Sequence, residues 1–356
     1  MLAAVWHGQN DVRVESIPQP MLGVADVRVR VALAGVCGTD IEEFTSGPLF
    51  IPTSPHPMTG RHAPLVLGHE FCGTVVEVGQ EVQGLSPGQR VACQVIRSCG
   101  DCVACRRGQT NRCIYAAVVG LMSDGGLAEY AVFPARLAVV LPDGVDDVSG
   151  AQLEPAAVAV HAASCAVVTA EDTVVVFGAG AVGLLCAQVV RAYGAARVVV
   201  VDPSSSRRDL ALRLGADAVV APGEDYDATA SAVAEALGGP ATIAIEAAGV
   251  PSVIGAALRA TGRGGRVVLL GQPAGDASVR PLDLVEHERT LIGSFAHVMA
   301  DFLAAVSLMA SGALQVHPYV TEIVPLEHVV DRVLQPLASG TASGVKYLID
   351  PTSSRA

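Results

Sequence analysis

The chain has 356 residues, of which 51% are hydrophobic and 16% charged, enough apolar material for about two domains at roughly 150 residues each. That balance excludes global disorder, which needs low hydrophobicity and dense charge. Lys and Arg number 23 against 35 Asp and Glu, a net charge of −12, and aromatics are only 4%, so nucleic acid is not an expected partner.

The first residues, MLAAVWHGQN, have no basic region ahead of their apolar run, so no signal peptide is expected. After them the first 150 residues read as β-rich. Val27, Val29 and Val31 alternate with Arg28 and Arg30, the period of two of a half-buried strand. Gly73 to Val78 and Glu129 to Phe133 are further strand-like runs. The Gly- and Pro-rich stretch from Gly47 to Pro64 is neither helix nor central strand. Pro155 to Ala170 lacks Asp, Glu, Lys and Arg but is too short and too polar to cross a bilayer, so no membrane association is expected. From Glu171 onward apolar runs (TVVVF, RVVVV, ADAVV, TIAIE, GRVVLLG) alternate with helix-like segments, which predicts a parallel sheet covered on both faces. The segment from Phe295 to Asp350 returns to mixed helix and strand and ends in VKYLID. A cytoplasmic protein is expected, in which nine cysteines act as metal ligands, in catalysis or as buried groups rather than as disulfides.

Four of those cysteines, Cys99, Cys102, Cys105 and Cys113, stand in CGDCVACRRGQTNRC. Thiolates so spaced, among Gly and polar residues, can close tetrahedrally on one ion. A closed four-sulfur set has no open position and so holds a structural zinc. An iron–sulfur cluster is the competing metal, which spacing alone does not exclude, but zinc is the expected one. Cys72, Cys93, Cys165 and Cys186 lie in apolar surroundings and read as small buried hydrophobes.

In VVVFGAGAVG, Gly178, Gly180 and Gly183 follow a predicted strand and open a predicted helix. The first allows a tight turn, the second close approach of a pyrophosphate, and the third helix–strand packing. Gly178, Gly180, Ala181, Val182 and Gly183 are therefore candidate contacts of a dinucleotide at the helix N-terminus. Asp202, nineteen residues after Gly183, ends the next predicted strand, where its carboxylate can take the ribose hydroxyls and repel a 2′-phosphate. NAD is favoured over NADP, although Arg207 and Arg208 nearby temper the preference. Gly271, after the GRVVLLG run, is a further cofactor candidate.

Cys37 lies in GVCGTD, His69 and Glu70 in LGHE, and Glu154 in QLEPAAVAVHA. Thiolate, imidazole and carboxylate together are the ligand types of an open, catalytic zinc site. With GGLAEY (Gly125 to Tyr130), the four-cysteine segment and GAGAVG, these motifs cover nearly the whole chain, which resembles the zinc-dependent medium-chain dehydrogenases. The carboxylate in the metal set is similar to the polyol branch of sorbitol, threonine and 2,3-butanediol dehydrogenases, and the GPLFIP…HPMTG insert is similar to the butanediol enzymes.

The resemblance implies an α/β protein with a GroES-like catalytic domain at 1–154, completed by 297–356, and a doubly wound Rossmann domain at 155–296. It implies two zinc ions per chain, one catalytic and one structural, and a homodimer or homotetramer. Cys37 and His69 match catalytic metal ligands. Glu154 is the favoured third ligand, with Glu70 as an alternative that exchanges with it. Zinc with one thiolate, one imidazole and one carboxylate sums to zero, and a second carboxylate brings it to −1. Thr39 matches the hydroxyl that begins the family's proton relay, and Asp40 the acid that orients the zinc-bound histidine. The chain departs from the family at Glu42, where polyol relatives carry a histidine; His56 and His62 in the insert are candidate substitutes.

The implied reaction is hydride transfer between a secondary alcohol, a vicinal diol or polyol, and NAD. Apolar Leu49, Phe50 and Ile51 suit a small diol or ketone. The alternatives are oxidation of an amino alcohol or cyclitol in a biosynthetic pathway, and, from another class, a non-catalytic nucleotide-binding structural or regulatory protein.

Overall fold

A computed structural model describes residues 1–272 and 275–352, so the last four residues of the expected C-terminal segment lie outside the described residues. The chain divides into two compact units. The first comprises Met1–Glu154, Val298–Val306 and the stretch from Tyr319 onward; the second comprises Pro155–His297 and Ser307–Pro318.

The N-terminal part of the first unit contains strands β1 (Leu2–Gly8), β2 (Asp11–Ser16) and β3 (Asp26–Gly35), then helix α1 (Gly38–Ser46). It continues through β4 (Leu65–Val66), β5 (Glu70–Val78), β6 (Arg90–Cys93) and β7 (Ile96–Arg97) to the short helix α2 (Val103–Arg106). Strands β8 (Ala117–Val118), β9 (Tyr130–Pro134) and β10 (Ala138–Val140) precede α3 (Asp147–Gly150) and α4 (Leu153–Ala166). The alternating Val run of β3 behaves as its period demands, with Val27, Val29 and Val31 fully buried. Residues 47–64, with five prolines, form no helix or strand.

In the second unit, β11 (Thr173–Phe177), α5 (Ala181–Ala192), β12 (Arg197–Val201), α6 (Ser205–Arg213) and β13 (Ala218–Val220) alternate strand and helix. The alternation continues with α7 (Tyr226–Leu237), β14 (Ala241–Glu246), α8 (Pro251–Ala260), β15 (Thr261–Leu269), α9 (Pro281–Val285) and β16 (Thr290–Gly293). The six strands pair in the order β13-β12-β11-β14-β15-β16, all parallel. Continuous burial of Val174–Phe177 and Val198–Val201 explains why these strands read as unbroken apolar runs. The C-terminal part of the chain adds α10 (Met299–Ala310), β17 (Val320–Pro325), α11 (Gln335–Ala338) and β18 (Lys346–Asp350).

Strands β17 and β18 return to the first unit's seven-stranded sheet, in the order β10-β6-β5-β3-β18-β17 with β9 on the other edge of β3's register. Phe71 and Phe133 meet edge to face in its core, 5.6 Å apart. This is a β-rich GroES-like unit and a Rossmann-like α/β unit. Among the described residues no helix is long and apolar enough to cross a membrane. One cysteine differs from expectation: Cys72, Cys93 and Cys186 are buried, but Cys165 is half-buried, because it faces His161 one helical turn away at 3.6 Å rather than the core.

Candidate metal centres and cofactor cavity

Cys37 ends the turn out of β3 and serves as N-cap of α1, so the first helical turn carries the groups around its sulfur. Asp40 Oδ2 accepts the Cys37 backbone N–H at 2.9 Å, which leaves Oδ1 facing His69 Nδ1 at 3.5 Å. His69 sits just before β5, after Gly68, whose φ of +98° makes the turn that admits the ring. Burial opposes the imidazolium, but Asp40 and Cys37 outweigh it and hold the His69 pKa well above its ordinary value. Ligand atoms of Cys37, His69 and Glu70 lie within 4.8 Å of one another. Thr39 Oγ1 is 3.8 Å from the Cys37 sulfur.

Glu70 opens β5 opposite Gly35, and Gly35 also pairs with Leu348 of β18. A Cβ at Gly35 would strike the Glu70 carboxylate and the Lys346 side chain, so this glycine lets the two meet. Glu70 Oε2 accepts directly from Lys346 Nζ, and both residues are almost completely buried. Burial opposes the ammonium, but the Glu70 carboxylate keeps Lys346 above its ordinary pKa. Glu154, 9% exposed at the start of α4, is outside the tight donor group yet close enough to act on Glu70 electrostatically. Tyr319, fully buried, has a hydroxyl with no hydrogen-bond partner among the described residues and is raised by burial and by Glu70.

Lys346 and Tyr319 are site residues that sequence reasoning missed. The available signal was a lone lysine in the otherwise apolar strand VKYLID. Its charge changes the earlier arithmetic: zinc, the Cys37 thiolate, both carboxylates and Lys346 sum to zero, so both glutamates can stay ionised. A soft thiolate, an imidazole and a carboxylate converging without a closing fourth ligand fit a zinc ion with an open position. Of the other candidates, Glu42 is half-buried on α1, and burial, then Glu43, raises its pKa. His56 accepts the Met58 N–H, and His62 is exposed beside Ala63; neither belongs to the donor group.

The second donor group is Cys99, Cys102, Cys105 and Cys113. Cys99 lies 3.5 Å from Cys113 and 3.9 Å from Cys105, sulfur to sulfur. A tetrahedral zinc with 2.3 Å bonds needs roughly 3.8 Å between sulfurs, whereas a disulfide needs about 2 Å. Backbone N–H groups of Cys99, Cys102, Cys105 and Tyr115 point at these sulfurs. The Cys105 N–H, foremost, lowers the Cys102 thiol to about 6. The group fits a closed structural zinc.

In the second unit a cavity of about 600 Å³ lies at the C-terminal ends of the strands, lined by Gly178, Gly180, Asp202, Arg207, Ala247 and Val250. Gly178 has φ +97°, and a Cβ on Gly183 would lie 1.9 Å from the Gly178 carbonyl. The helices bordering this edge differ at their N-termini. Ser204 caps α6 and Asp225 caps α7, and the Glu246 carboxylate takes the N–H groups of Ala248 and Gly249 ahead of α8. α5, entered at Gly180 with Ala181 and Val182 behind it, has no side chain on its first amides; neither has α8, but its first helical residue, Pro251, has no N–H to offer. An anionic phosphate at the glycine turn is thus favoured by α5. Asp202 accepts from Ala179 N and Ser204 N at 2.8 Å each, and Arg208 is held on the carbonyls of Asp202 and Pro203. Gly271 donates its N–H to the Glu246 carbonyl at 3.0 Å.

Two family models match: "Alcohol dehydrogenase GroES-like domain" over residues 23–143 and "Zinc-binding dehydrogenase" over 181–311. A curated (R,R)-butanediol dehydrogenase of Bacillus subtilis is 35% identical, over 99% of this chain and 100% of its own. A sorbitol dehydrogenase of Bombyx mori is 33% identical, over 98% and 97%. Among solved structures, 2R,3R-butanediol dehydrogenase from Bacillus subtilis superposes with a TM-score of 0.90 at 35% identity, over 98% of this chain and 99% of that one. A zinc-binding dehydrogenase from Sinorhizobium meliloti, bound to NADP, gives 0.88 at 32% identity, over 98% and 99%.

Proposed function

The chain belongs to the zinc-type medium-chain alcohol dehydrogenases, polyol branch, and on that premise we propose that it oxidises a vicinal diol or polyol with NAD as acceptor. It is an oxidoreductase that moves a hydride between a secondary alcohol and a nicotinamide cofactor. The observation that carries the reading is the convergence of Cys37, His69 and Glu70 within 4.8 Å, with the Thr39 hydroxyl beside the sulfur. A zinc ion held there supplies Lewis-acid polarisation of the alcohol oxygen.

This chain's residues do the rest. Asp40 Oδ1, 3.5 Å from His69 Nδ1, favours a proton on that nitrogen, which would leave Nε2 for the metal. Thr39 Oγ1 takes the alcohol proton as the hydride leaves the carbinol carbon, and passes it toward solvent. Lys346 retains Glu70, which supports Glu154 as the third ligand with Glu70 held ready to exchange. Loss of zinc or activity on Glu154→Ala supports that order; an effect confined to Glu70→Ala reverses it.

The preference for NAD rests on Asp202, Glu224 and Asp225 around the cavity, three carboxylates that oppose a 2′-phosphate and outweigh Arg207, which also lines it, while Arg208 is occupied by carbonyls. Two zinc ions per chain are part of the proposal, supported by the two donor groups. The four free thiols of the second group suit the reducing cytoplasm. A homodimer or homotetramer is part of the proposal, supported by the open edge of β16, which a second copy can cover.

Glu42 favours a second reading, an amino-alcohol substrate, because its carboxylate on α1 would attract an ammonium. Initial rates across diols, polyols and amino alcohols, with NAD and NADP, decide among these. Turnover of diols with NAD and two zincs by metal analysis support the first reading; activity confined to amino alcohols selects the second.

A further inference from the structure

We propose that Glu246 is a positioning residue for the dinucleotide, whose buried carboxylate pins the loop after β14 where it meets the loop after β15 and thereby sets one wall of the cofactor cavity. The inference rests on the assignment of that cavity to the nicotinamide cofactor. Glu246 is the last residue of β14, beside the central β11, and is 1% exposed. Its Oε1 accepts the backbone N–H of Ala248 at 2.8 Å and of Gly249 at 2.9 Å, and the amides of Val250 and Gly271 also act on the carboxylate. Its carbonyl accepts Leu270 N at 2.9 Å and Gly271 N at 3.0 Å. Among the described residues no arginine, lysine or histidine pairs with it; the amides in front of α8 favour the carboxylate, although burial outweighs them and raises its pKa.

Among the described residues the two loops approach closely at Gly249 and Gly271. A Cβ at Gly271 would lie 2.3 Å from Gly249 N and 2.7 Å from Glu246 Oε2, and Gly249 itself has φ +67°. The loop held this way supplies Ala247, Ala248 and Val250 to the cavity. It also abuts the glycine turn, since a Cβ at Gly178 would meet Ala248 N at 2.9 Å. The carboxylate therefore fixes a wall and the neighbouring phosphate turn together.

The test uses the full zinc-loaded chain. Glu246→Gln keeps the shape but turns one acceptor into a donor facing N–H groups. NADH titration by fluorescence should give a Kd about tenfold higher, and KM for NAD should rise in proportion, with the loss in KM rather than kcat and with zinc content unchanged. Gly271→Ala, which separates the loops without altering charge, should show the same signature and serves if Glu246→Gln does not fold. Wild-type Kd in either folded variant, or a loss confined to kcat, overturns the proposal. Failure of NADH to bind the wild-type chain overturns the cavity assignment, and this inference with it.

Discussion

Thr39 and Lys346, far apart along the chain, stand beside the candidate metal ligands Cys37 and Glu70. Thr39 is half-buried and touches the Cys37 sulfur without belonging to the donor group. Removing its hydroxyl in Thr39→Val should cut turnover by about a hundredfold or more, the range of a lost proton-transfer step, with both zincs retained. Steady-state rates and metal analysis check this together; unchanged turnover removes Thr39 from the relay. Lys346 has a structural consequence as well. Breaking a buried ion pair by deleting one partner costs about 3–5 kcal/mol, because the other charge is stranded. Lys346→Met should therefore lower the unfolding free energy of the zinc-free chain, read by denaturant titration, by that order, and adding Glu70→Gln should restore much of it. A double variant no better than the single would show that the loss comes from packing.

At the scale of elements, the Rossmann sheet is stapled at the N-terminal ends of its strands by Asp172. This buried carboxylate, just before β11, accepts Thr169 N at 2.8 Å, Thr169 Oγ1 at 2.9 Å and Thr242 Oγ1 of β14 at 2.7 Å, and pairs with Arg266 of β15. Burial would raise its pKa, but the hydrogen bonds from Thr242 and Thr169 and the Arg266 charge overcome it and hold it below the ordinary value. A depressed carboxyl contributes stability above its unfolded pKa of about 3.9 and loses it as pH falls through the folded value. Asp172→Ala should thus cost about 2–4 kcal/mol at pH 7. Urea unfolding at pH 7 and near pH 3 should show the gap between variant and wild type closing in acid; a gap constant with pH contradicts the staple. The Glu246 clamp stands at the opposite end of the same strands, so one end of β14 serves stability and the other the cofactor.

For the molecule as a whole, the four-cysteine segment is a local brace. Its donors span only Cys99 to Cys113, with short N–H to sulfur contacts inside the same loop. A chelator that removes its zinc should lower Tm by several degrees, while NADH binding by the second unit persists. Saturating NADH, at about a hundred times Kd, should stabilise by about 2.7 kcal/mol. Loss of both properties on chelation would mean that the two units do not unfold independently.

The fold class, the alternation of strands and helices, the glycine turn and the four-cysteine donor group were legible in the sequence because each depends on residues close together along the chain. Periods of two and of 3.6, a glycine at φ +97° and sulfurs two residues apart are local constraints. The partner of Glu70 was not legible. Lys346 is 276 positions away, brought there only by the register of β18 on β3 and of β3 on β5. The Glu246 clamp likewise depends on two loops that meet only once β14 and β15 lie parallel. Local spacing determines which ligands this chain can offer; strand register decides which charges surround them, because a strand's own pattern fixes which face is buried but does not name the residue, hundreds of positions away, that lies across from it.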